Sequence, residues 1–454
     1  MTKSKIIRYT KFLLLITIGI TANTIMHKSF INFTLFLVSI FIVLGTILLI
    51  KTKEKQVLLM IVVPGILLRL FLLQLETAGI ILPGGGSDAI MFKKIADYYA
   101  NIWTHKLIFI SSAPNYYYSK FIAVIEMLFG TETLMPVLIN IICSTLTAYI
   151  IYKITMMIFH NNEISFTASL IFYYFPSIIL YSVLTLRETV TIFLLSLFFL
   201  LSIAFIKYKN LEYFLPAIGI LYLANLFDNV TIIVDFSFFI WIIIFMLYKL
   251  IKISLKEKII SVLIVSISFV AFVAMIRKYP IILGKIPYKN ISSLFSIHYI
   301  TMKLNVAARG KTAYLVNFLP HSYLSFILQT PIRMLYFLFS PFLWQLHSLK
   351  DMVGLFDSIM YLVLILSFVL EMKNFKKFNN KYKEILIFSA ILLFFMIFFF
   401  AWGVSNTGTA LRHRTFLLFV LIPVATHNLV NVANKIFKFK LKLISNKGCD
   451  IANV

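Results

Sequence analysis

The sequence predicts an all-α polytopic integral membrane protein with about twelve transmembrane helices and with interfacial helices in two long outer loops. The chain has 454 residues, of which 61% are apolar and only 13% charged, whereas a soluble domain carries about 25% charged residues. A membrane-spanning helix uses roughly 20 apolar residues, and runs of that kind recur along this chain. Soluble enzymes, disordered chains and collagen-like fibres are therefore excluded.

The positive charges are also arranged as in a membrane protein. The formal net charge of +25 is concentrated in short lysine clusters between the apolar runs, as in the cytoplasmic loops of membrane proteins. The clusters lie at 3–11, 51–55, 249–258, 373–383 and 435–442. We interpret them as anchors at an anionic lipid surface, and we expect no nucleic-acid partner.

Run length and lysine placement predict the order of the spans within one transmembrane domain, 1–454. The predicted spans are 12–26, 30–50, 57–75, 134–159, 165–186, 189–206, 211–227, 230–248, 259–276, 352–370, 385–402 and 416–432. Both termini then lie inside, and the long outer loops cover about 76–131 and 277–350. The apolar run 332–344 is short, and a crossing there would place the lysines of 373–383 outside, so we expect it to be interfacial or re-entrant.

The first outer loop contains a glycine-rich turn followed by an amphipathic helix. Glycines 84–86 free the backbone for positive φ, and Asp88 follows them at the expected N-cap of the helix. Helical spacing is shown by Phe92, Ile95, Ala96, Tyr99, Ile102 and Trp103. Lys93, Lys94 and Asp97 are expected to face water. Asp88 is either a capping residue or a general base.

Two further connections place charge at the same outer edge. Arg187 precedes a span, and a cation there opposes the helix dipole. This unfavourable interaction is offset if Arg187 pairs with Glu188 or another carboxylate, binds an anionic ligand, or snorkels towards water. The turn that begins at Asn406 leads to three potential cations, which we expect in the first turn of the last span. They are Arg412, His413 and Arg414. A helix N-terminus with arginines favours phosphate, although positions i and i+2 do not share a helix face.

Three short patterns give the chain a resemblance to the GT-C fold glycosyltransferases, which include protein mannosyltransferases. They are the loop aspartate before an interfacial helix, the S-x-x-x-L-R-E junction from Ser182 to Glu188, and the N-x-G-T-x-x-R-x-R start of the last span. The segments Pro331–Arg333 and Phe339–Trp344 are similar to an outer segment of bacterial members.

The resemblance implies inverting transfer of a sugar from a polyprenyl-phosphate carrier on the outer face. It implies Asp88 as the base, Glu188 as a residue that orients an arginine, and arginines that hold the carrier phosphate. The phosphate candidates are Arg187, Arg333, Arg412 and Arg414, with His413 beside them. Many members have a second carboxylate next to the loop aspartate, where this chain has Ala89, so Asp228 becomes the alternative second carboxylate.

The expected partners are a polyprenyl-phosphate-linked sugar donor, membrane lipids and a glycan, lipid or protein acceptor. The expected location is a cell membrane, the bacterial inner (cytoplasmic) membrane. The histidines show no metal-ligand spacing, so no metal is predicted, and a divalent cation stays an open alternative. A repeat-unit polymerase or ligase of surface polysaccharide and a polysaccharide flippase are the alternative functions.

Overall fold

The chain folds as a bundle of helices. The computed structural model describes residues 55–105, 116–131, 134–250, 296–308, 310, 312–346 and 348–450. Within these ranges every regular element is a helix, apart from one isolated β-bridge between Ala313 and Asn406. The α-helices are α1 (Lys55–Thr77), α2 (Ser87–His105), α3 (Tyr117–Phe129), α4 (Met135–Phe159), α5 (Asn162–Tyr173), α6 (Pro176–Ser182), α7 (Glu188–Tyr208), α8 (Leu211–Phe227), α9 (Ile232–Leu250), α10 (Ile297–Ala307), α11 (Tyr323–Phe339), α12 (Leu349–Lys373), α13 (Asn380–Gly403), α14 (Thr407–Arg414) and α15 (Leu418–Asp450). Single 3-10 turns lie at Asn229–Thr231, Leu343–Gln345, Phe375–Lys377 and Thr415–Leu417.

Several of these helices are long and apolar enough to cross a membrane. In the described part of the chain there are five: α4, α7, Asp351–Lys373 within α12, α13, and the continuous stretch Thr407–Ile436. The pair α5 and α6 is a sixth candidate, while α8, Asn229–Phe245 and α11 are apolar but shorter. The all-α class is thus confirmed for the described residues, and the long apolar helices agree with a membrane protein. The total of about twelve spans stays a prediction. The predicted spans 12–26, 30–50 and 259–276 lie outside the described residues.

The predicted span 165–186 is two helices rather than one. α5 and α6 meet at an angle of 55°, because Pro176 lacks an N–H and disfavours helical backbone at the preceding residue; Phe175 is extended. Arg69 satisfies one side of the break, donating from Nη2 to the Tyr173 carbonyl at 2.8 Å. On the other side, the Ser177 backbone N–H donates to Oδ1 of Asp357 at 3.1 Å.

The apolar segment expected at 332–344 has different bounds. α11 begins nine residues earlier, at Tyr323, where the Ser322 and Ser325 side chains form a capping box. It ends at Phe339, directly before Ser340 and Pro341, and Leu343–Gln345 is a separate 3-10 turn. The earlier start was missed because polar Ser325, Gln329 and Thr330 interrupt the apolar run.

Packing around α2 agrees with its predicted apolar face. Phe92, Ala96 and Tyr99 are buried in a cluster that α2 shares with α1, α3 and the start of α4. Lys93 was expected to face water; its side chain is 39% exposed, and it also donates to the buried Glu126 carboxylate at 3.1 Å. The reason is α3, a second loop helix that packs against α2 and brings Glu126 to it.

Candidate functional site

The Arg412 side chain joins two carboxylates from distant parts of the chain. Its Nε donates to Oε1 of Glu188 at 2.8 Å, its Nη2 donates to the same oxygen, and its Nη1 donates to Oδ2 of Asp88. The three residues are separated by up to 324 positions in the sequence. Asp88 and Arg412, which the sequence placed at the same membrane edge, are therefore in direct contact.

A second ion pair lies next to the first. Nε of Arg187 is 3.1 Å from Oδ2 of Asp228, and the Arg187 guanidinium lies 5.4 Å from the ring centroid of Phe92, one turn after Asp88 in α2. We call Asp88, Arg187, Glu188, Asp228 and Arg412 the Arg412 cluster. Of the possible solutions for Arg187 at a helix start, pairing with another carboxylate is the one present.

Burial divides the three carboxylates of the cluster. The Asp88 side chain is 45% exposed, whereas those of Glu188 and Asp228 are 2% and 0% exposed. Burial raises the pKa of Asp228, and the neighbouring Arg187 opposes that rise. Because the two buried carboxylates are closed off, Asp88 is the member of this set that can reach an incoming hydroxyl group.

Local sequence explains why these side chains meet. Gly84 adopts φ +88°, which glycine tolerates without a steric penalty, and the turn leads directly into α2. The Leu184–Leu186 junction is fixed by Asn140, whose Nδ2 donates to the carbonyls of Leu184 at 2.7 Å and Leu186 at 3.0 Å. These contacts hold Arg187 and Glu188 at the start of α7.

Asp88 is not the N-cap that the sequence predicted. α2 begins at Ser87, so Asp88 lies in its first turn. A carboxylate in that turn is favoured by the helix dipole, and the Oδ2 atom of Asp88 accepts from Arg412. The residue therefore contacts another element of the bundle in addition to its own helix.

The predicted position of the arginines of the last span is also wrong. They lie in the last turn of α14 rather than in a first turn. The N-terminus of α14 is capped by Asn406, whose side-chain oxygen accepts from the backbone N–H of Gly408 at 2.9 Å. The expected placement of the arginines at the free N–H groups of a helix start is therefore wrong for this turn.

The remaining cation candidates are enclosed. Arg414 is fully buried and donates from Nη1 to the Leu338 carbonyl at 2.5 Å. Arg333 is also fully buried, donates to the Phe318 carbonyl and lies 4.7 Å from the Trp402 ring centroid. The His413 ring stacks on Phe400 at 5.1 Å. These side chains do not join the ion pairs of the Arg412 cluster.

Residues that flank Asp88 in the sequence line a cavity of about 380 Å³, whereas the five members of the Arg412 cluster do not. Gly85, Ala89 and Ile90 line it next to Asp88, and apolar side chains from α1, α4 and the Leu184 junction form another wall. Lys93 and Lys94 also line this cavity, together with the carboxylates of Glu76 and Asp97. Apolar walls with charged groups of both signs suit a ligand that has a hydrocarbon part and a polar part.

Sequence analysis missed two residues near these sites. Lys303 lies on α10, and burial lowers its pKa to about 8; it falls within the predicted loop 277–350, where no pattern marked it. Asp357 is 1% exposed on α12, and its signal was available, since a carboxylate inside an apolar run is unusual.

Among the described residues, no group of three or more histidine, cysteine or acidic side chains is arranged to hold a metal ion. Comparison with known proteins gives no matching family, no matching curated protein and no matching solved structure.

Proposed function

We propose that this chain is a membrane glycosyltransferase that moves a sugar from a polyprenyl-phosphate carrier to a cell-surface acceptor. The observation that carries the proposal is the Arg412 guanidinium, which is shared between the accessible carboxylate of Asp88 and the buried carboxylate of Glu188. An arginine fixed by a buried carboxylate beside an exposed one places an anion-binding group next to a candidate base.

The proposed reaction is an inverting displacement. The acceptor hydroxyl gives its proton to Asp88 as its oxygen attacks the anomeric carbon of the sugar. The bond between that carbon and the phosphate oxygen breaks, and the leaving polyprenyl phosphate takes both electrons. The products are the glycosylated acceptor and the polyprenyl phosphate, with the proton on Asp88.

Arg412 and Arg187 supply charge for the leaving phosphate. Their side chains retain 16% and 18% exposure, so each has a surface that an anion can reach. A guanidinium has five N–H donors, and Arg412 uses three of them on Glu188 and Asp88. Glu188 and Asp228 act as positioning residues that hold the two arginines.

A lipid-linked donor suits the 380 Å³ cavity. Its apolar wall can take the first isoprene unit, and Lys94, which lines the cavity, can contact the phosphate, whereas Lys93 is held by Glu126 and Asp97. From the resemblance to GT-C glycosyltransferases, we further propose that the chain has about twelve spans, that the site faces the outer side, and that the membrane is the bacterial inner membrane. The lysine clusters support the same sidedness.

The test is sugar transfer in isolated membranes that contain the native acceptor. A radiolabelled polyprenyl-phosphate monosaccharide is supplied, and incorporation is measured with the wild type, Asp88→Asn and Arg187→Ala. Loss of a general base lowers the rate by about 100- to 10,000-fold, so Asp88→Asn should abolish transfer at unchanged protein level. Arg187→Ala should raise the donor concentration needed for half-maximal rate.

Glu212→Gln is the matched control. Glu212 is also an acidic residue in the first turn of its helix, α8, but it lies outside the Arg412 cluster and does not line the 380 Å³ cavity, so transfer should continue. Near-full activity of Asp88→Asn would exclude Asp88 as the base. Consumption of a lipid-linked oligosaccharide but no monosaccharide donor would indicate the polymerase or ligase function, and translocation without any transfer would indicate a flippase.

A further inference from the structure

One face of α11 is apolar and uncovered. Large hydrophobic residues with exposures between 42% and 67% recur along it at helical spacing. They are Tyr323, Leu324, Ile327, Leu328, Ile332 and Leu335. Arg333 is the only charged residue of α11, and it is fully buried. A contiguous apolar face of this kind marks a contact with another protein or with a membrane.

The other side of α11 packs across the end of α13. The Phe326 ring stacks on that of Trp402 at a centroid distance of 4.1 Å, and Trp402 Nε1 donates to Oγ1 of Thr330 at 3.1 Å. Further along α11, the Phe337 ring lies 5.5 Å from that of Phe400. From Phe326 to Phe337 the helix rises roughly 16 Å along its axis, yet these ring contacts all fall within residues 398–402 of α13. Contacts between helices packed side by side advance along both helices, so α11 crosses α13 at a steep angle.

This crossing gives α11 an orientation relative to the membrane. α13 is long and apolar enough to span a membrane, and it ends at Gly403, directly after the residues that α11 contacts. A helix that crosses the end of a span at a steep angle lies close to the membrane plane. The Leu338 carbonyl near the C-terminus of α11 accepts from Arg414, so this end of α11 lies beside α14, which also carries Arg412.

Lipid matches the uncovered face better than a protein partner does. Exposed apolar surface continues along the chain through Leu343 and Trp344, each 71% exposed, to Met352 and Phe356 of α12. These two α12 residues belong to the candidate span Asp351–Lys373, and the apolar surface of a span contacts hydrocarbon. Protein interfaces have a polar rim, whereas the exposed face of α11 has no charged side chain.

We propose that α11 lies in the plane of the membrane, with its face from Tyr323 to Leu335 on the lipid acyl chains of the leaflet nearest the Arg412 cluster. Many in-plane helices turn a charged or polar face towards water. In α11 the polar groups of Thr330 and Arg333 contact Trp402 instead. The helix is therefore held between the bundle and the hydrocarbon. This inference goes beyond the proposed sugar transfer and does not depend on it.

The test is the depth of nitroxide spin labels in proteoliposomes. Leu324→Cys and Leu335→Cys carry single labels on the same face of α11, roughly 16 Å apart along the helix axis. Both are made in a chain with Cys143 and Cys449 replaced by alanine. Relaxation of each label by oxygen, which partitions into hydrocarbon, is compared with relaxation by a water-soluble nickel chelate.

Two further labels calibrate the depths. Leu366→Cys, on the exposed face of α12, is the reference for hydrocarbon, and Lys376→Cys, exposed in the turn after α12, is the reference for water. Exposed positions tolerate such replacements, and thermal melts check that each labelled chain is folded.

Oxygen should relax the labels at 324 and 335 more strongly than the nickel chelate does, as at position 366. Their two depths should agree within about one helical turn, 5.4 Å. A depth difference near the full separation of roughly 16 Å would overturn the proposal, because α11 would then run along the membrane normal. Strong relaxation by nickel, as at position 376, would place the face in water and also overturn it.

Low access for both reagents, with dipolar broadening between labels on different copies, would assign the face to a second copy of the chain and refute lipid contact. The measurement needs neither a sugar donor nor an acceptor. Its outcome is therefore separate from that of the transfer assay, and failure of either proposal leaves the other standing.

Discussion

Removal of Arg412 should destabilise the protein mainly through Glu188 and hardly through Asp88. The perturbation is Arg412→Met, which keeps an unbranched apolar stem and deletes the guanidinium. Two of the three bonds that Arg412 donates within the cluster go to Glu188, which is 2% exposed, and one goes to Asp88, which is 45% exposed. The variant leaves the Glu188 carboxylate buried without its cation.

The expected magnitudes follow from burial. Breaking a buried ion pair by removing one partner costs about 3–5 kcal/mol; Arg412 keeps 16% exposure, so we expect the lower end, about 3 kcal/mol. An exposed ion pair contributes about 0–1 kcal/mol, so Asp88→Asn should change the free energy of unfolding by no more than that. Replacing a buried pair by apolar residues is often neutral, so Arg412→Met combined with Glu188→Met should regain most of the loss.

The assay is reversible denaturation in mixed detergent and lipid micelles, with the free energy of unfolding measured for the wild type, each single variant and the double variant. Asp88→Asn is the control for loss of a carboxylate from the same cluster. The reasoning is refuted if the double variant is no more stable than Arg412→Met, or if Asp88→Asn costs as much as Arg412→Met.

Other features give predictions of the same kind. A single cysteine at Asn379, in a chain without other cysteines, should be labelled only after the membrane is permeabilised, and labelling in intact cells would contradict the topology with 373–383 inside. Gly84→Ala should lower stability in thermal melts by about 1–3 kcal/mol, because φ is +88° and a Cβ would lie 2.8 Å from the Tyr181 ring. The control is Gly86→Ala, which should be near neutral because nothing lies within 4 Å of its Cβ. Burial raises the pKa of Glu126 from 4.5 to about 7. Between these two pH values the folded state binds more protons than the unfolded state, so the free energy of unfolding falls as pH rises from 4.5 to about 7. Glu126→Gln should flatten this part of the curve of melting temperature against pH, and an unchanged slope would show that other groups cause it.

The sequence predicted the five members of the Arg412 cluster at one membrane edge, but it grouped His413 and Arg414 with them, and these two side chains lie outside the cluster. The predicted order of spans suggests a common edge and does not define the pairing. Which carboxylate meets which arginine depends on the packing of helices that lie hundreds of residues apart. No local pattern carries that information.

Helix register explains the misplaced cations. A helix turns about 100° per residue, so Arg414 points about 200° away from Arg412 and enters the interior near Asp357. The sequence indicated that the two arginines could not share a phosphate, but not which of them would be enclosed. The start of the last helical stretch was also set too late, because the polar residues from Asn406 to Thr409 resemble a loop while they cap and begin α14.

The break between α5 and α6 has a consequence for the order in which the chain assembles. The backbone groups on its two sides are bonded by residues that are synthesised far apart. Arg69 lies 104 residues before its partner Tyr173, and Asp357 lies 180 residues after its partner Ser177. Backbone groups without partners are costly in a lipid environment. The early half of the break can therefore be satisfied as soon as α5 emerges from the ribosome, but the N–H at Ser177 must wait for α12. During synthesis from the N-terminus, the N–H of Ser177 therefore lacks its Asp357 partner until α12 has been made.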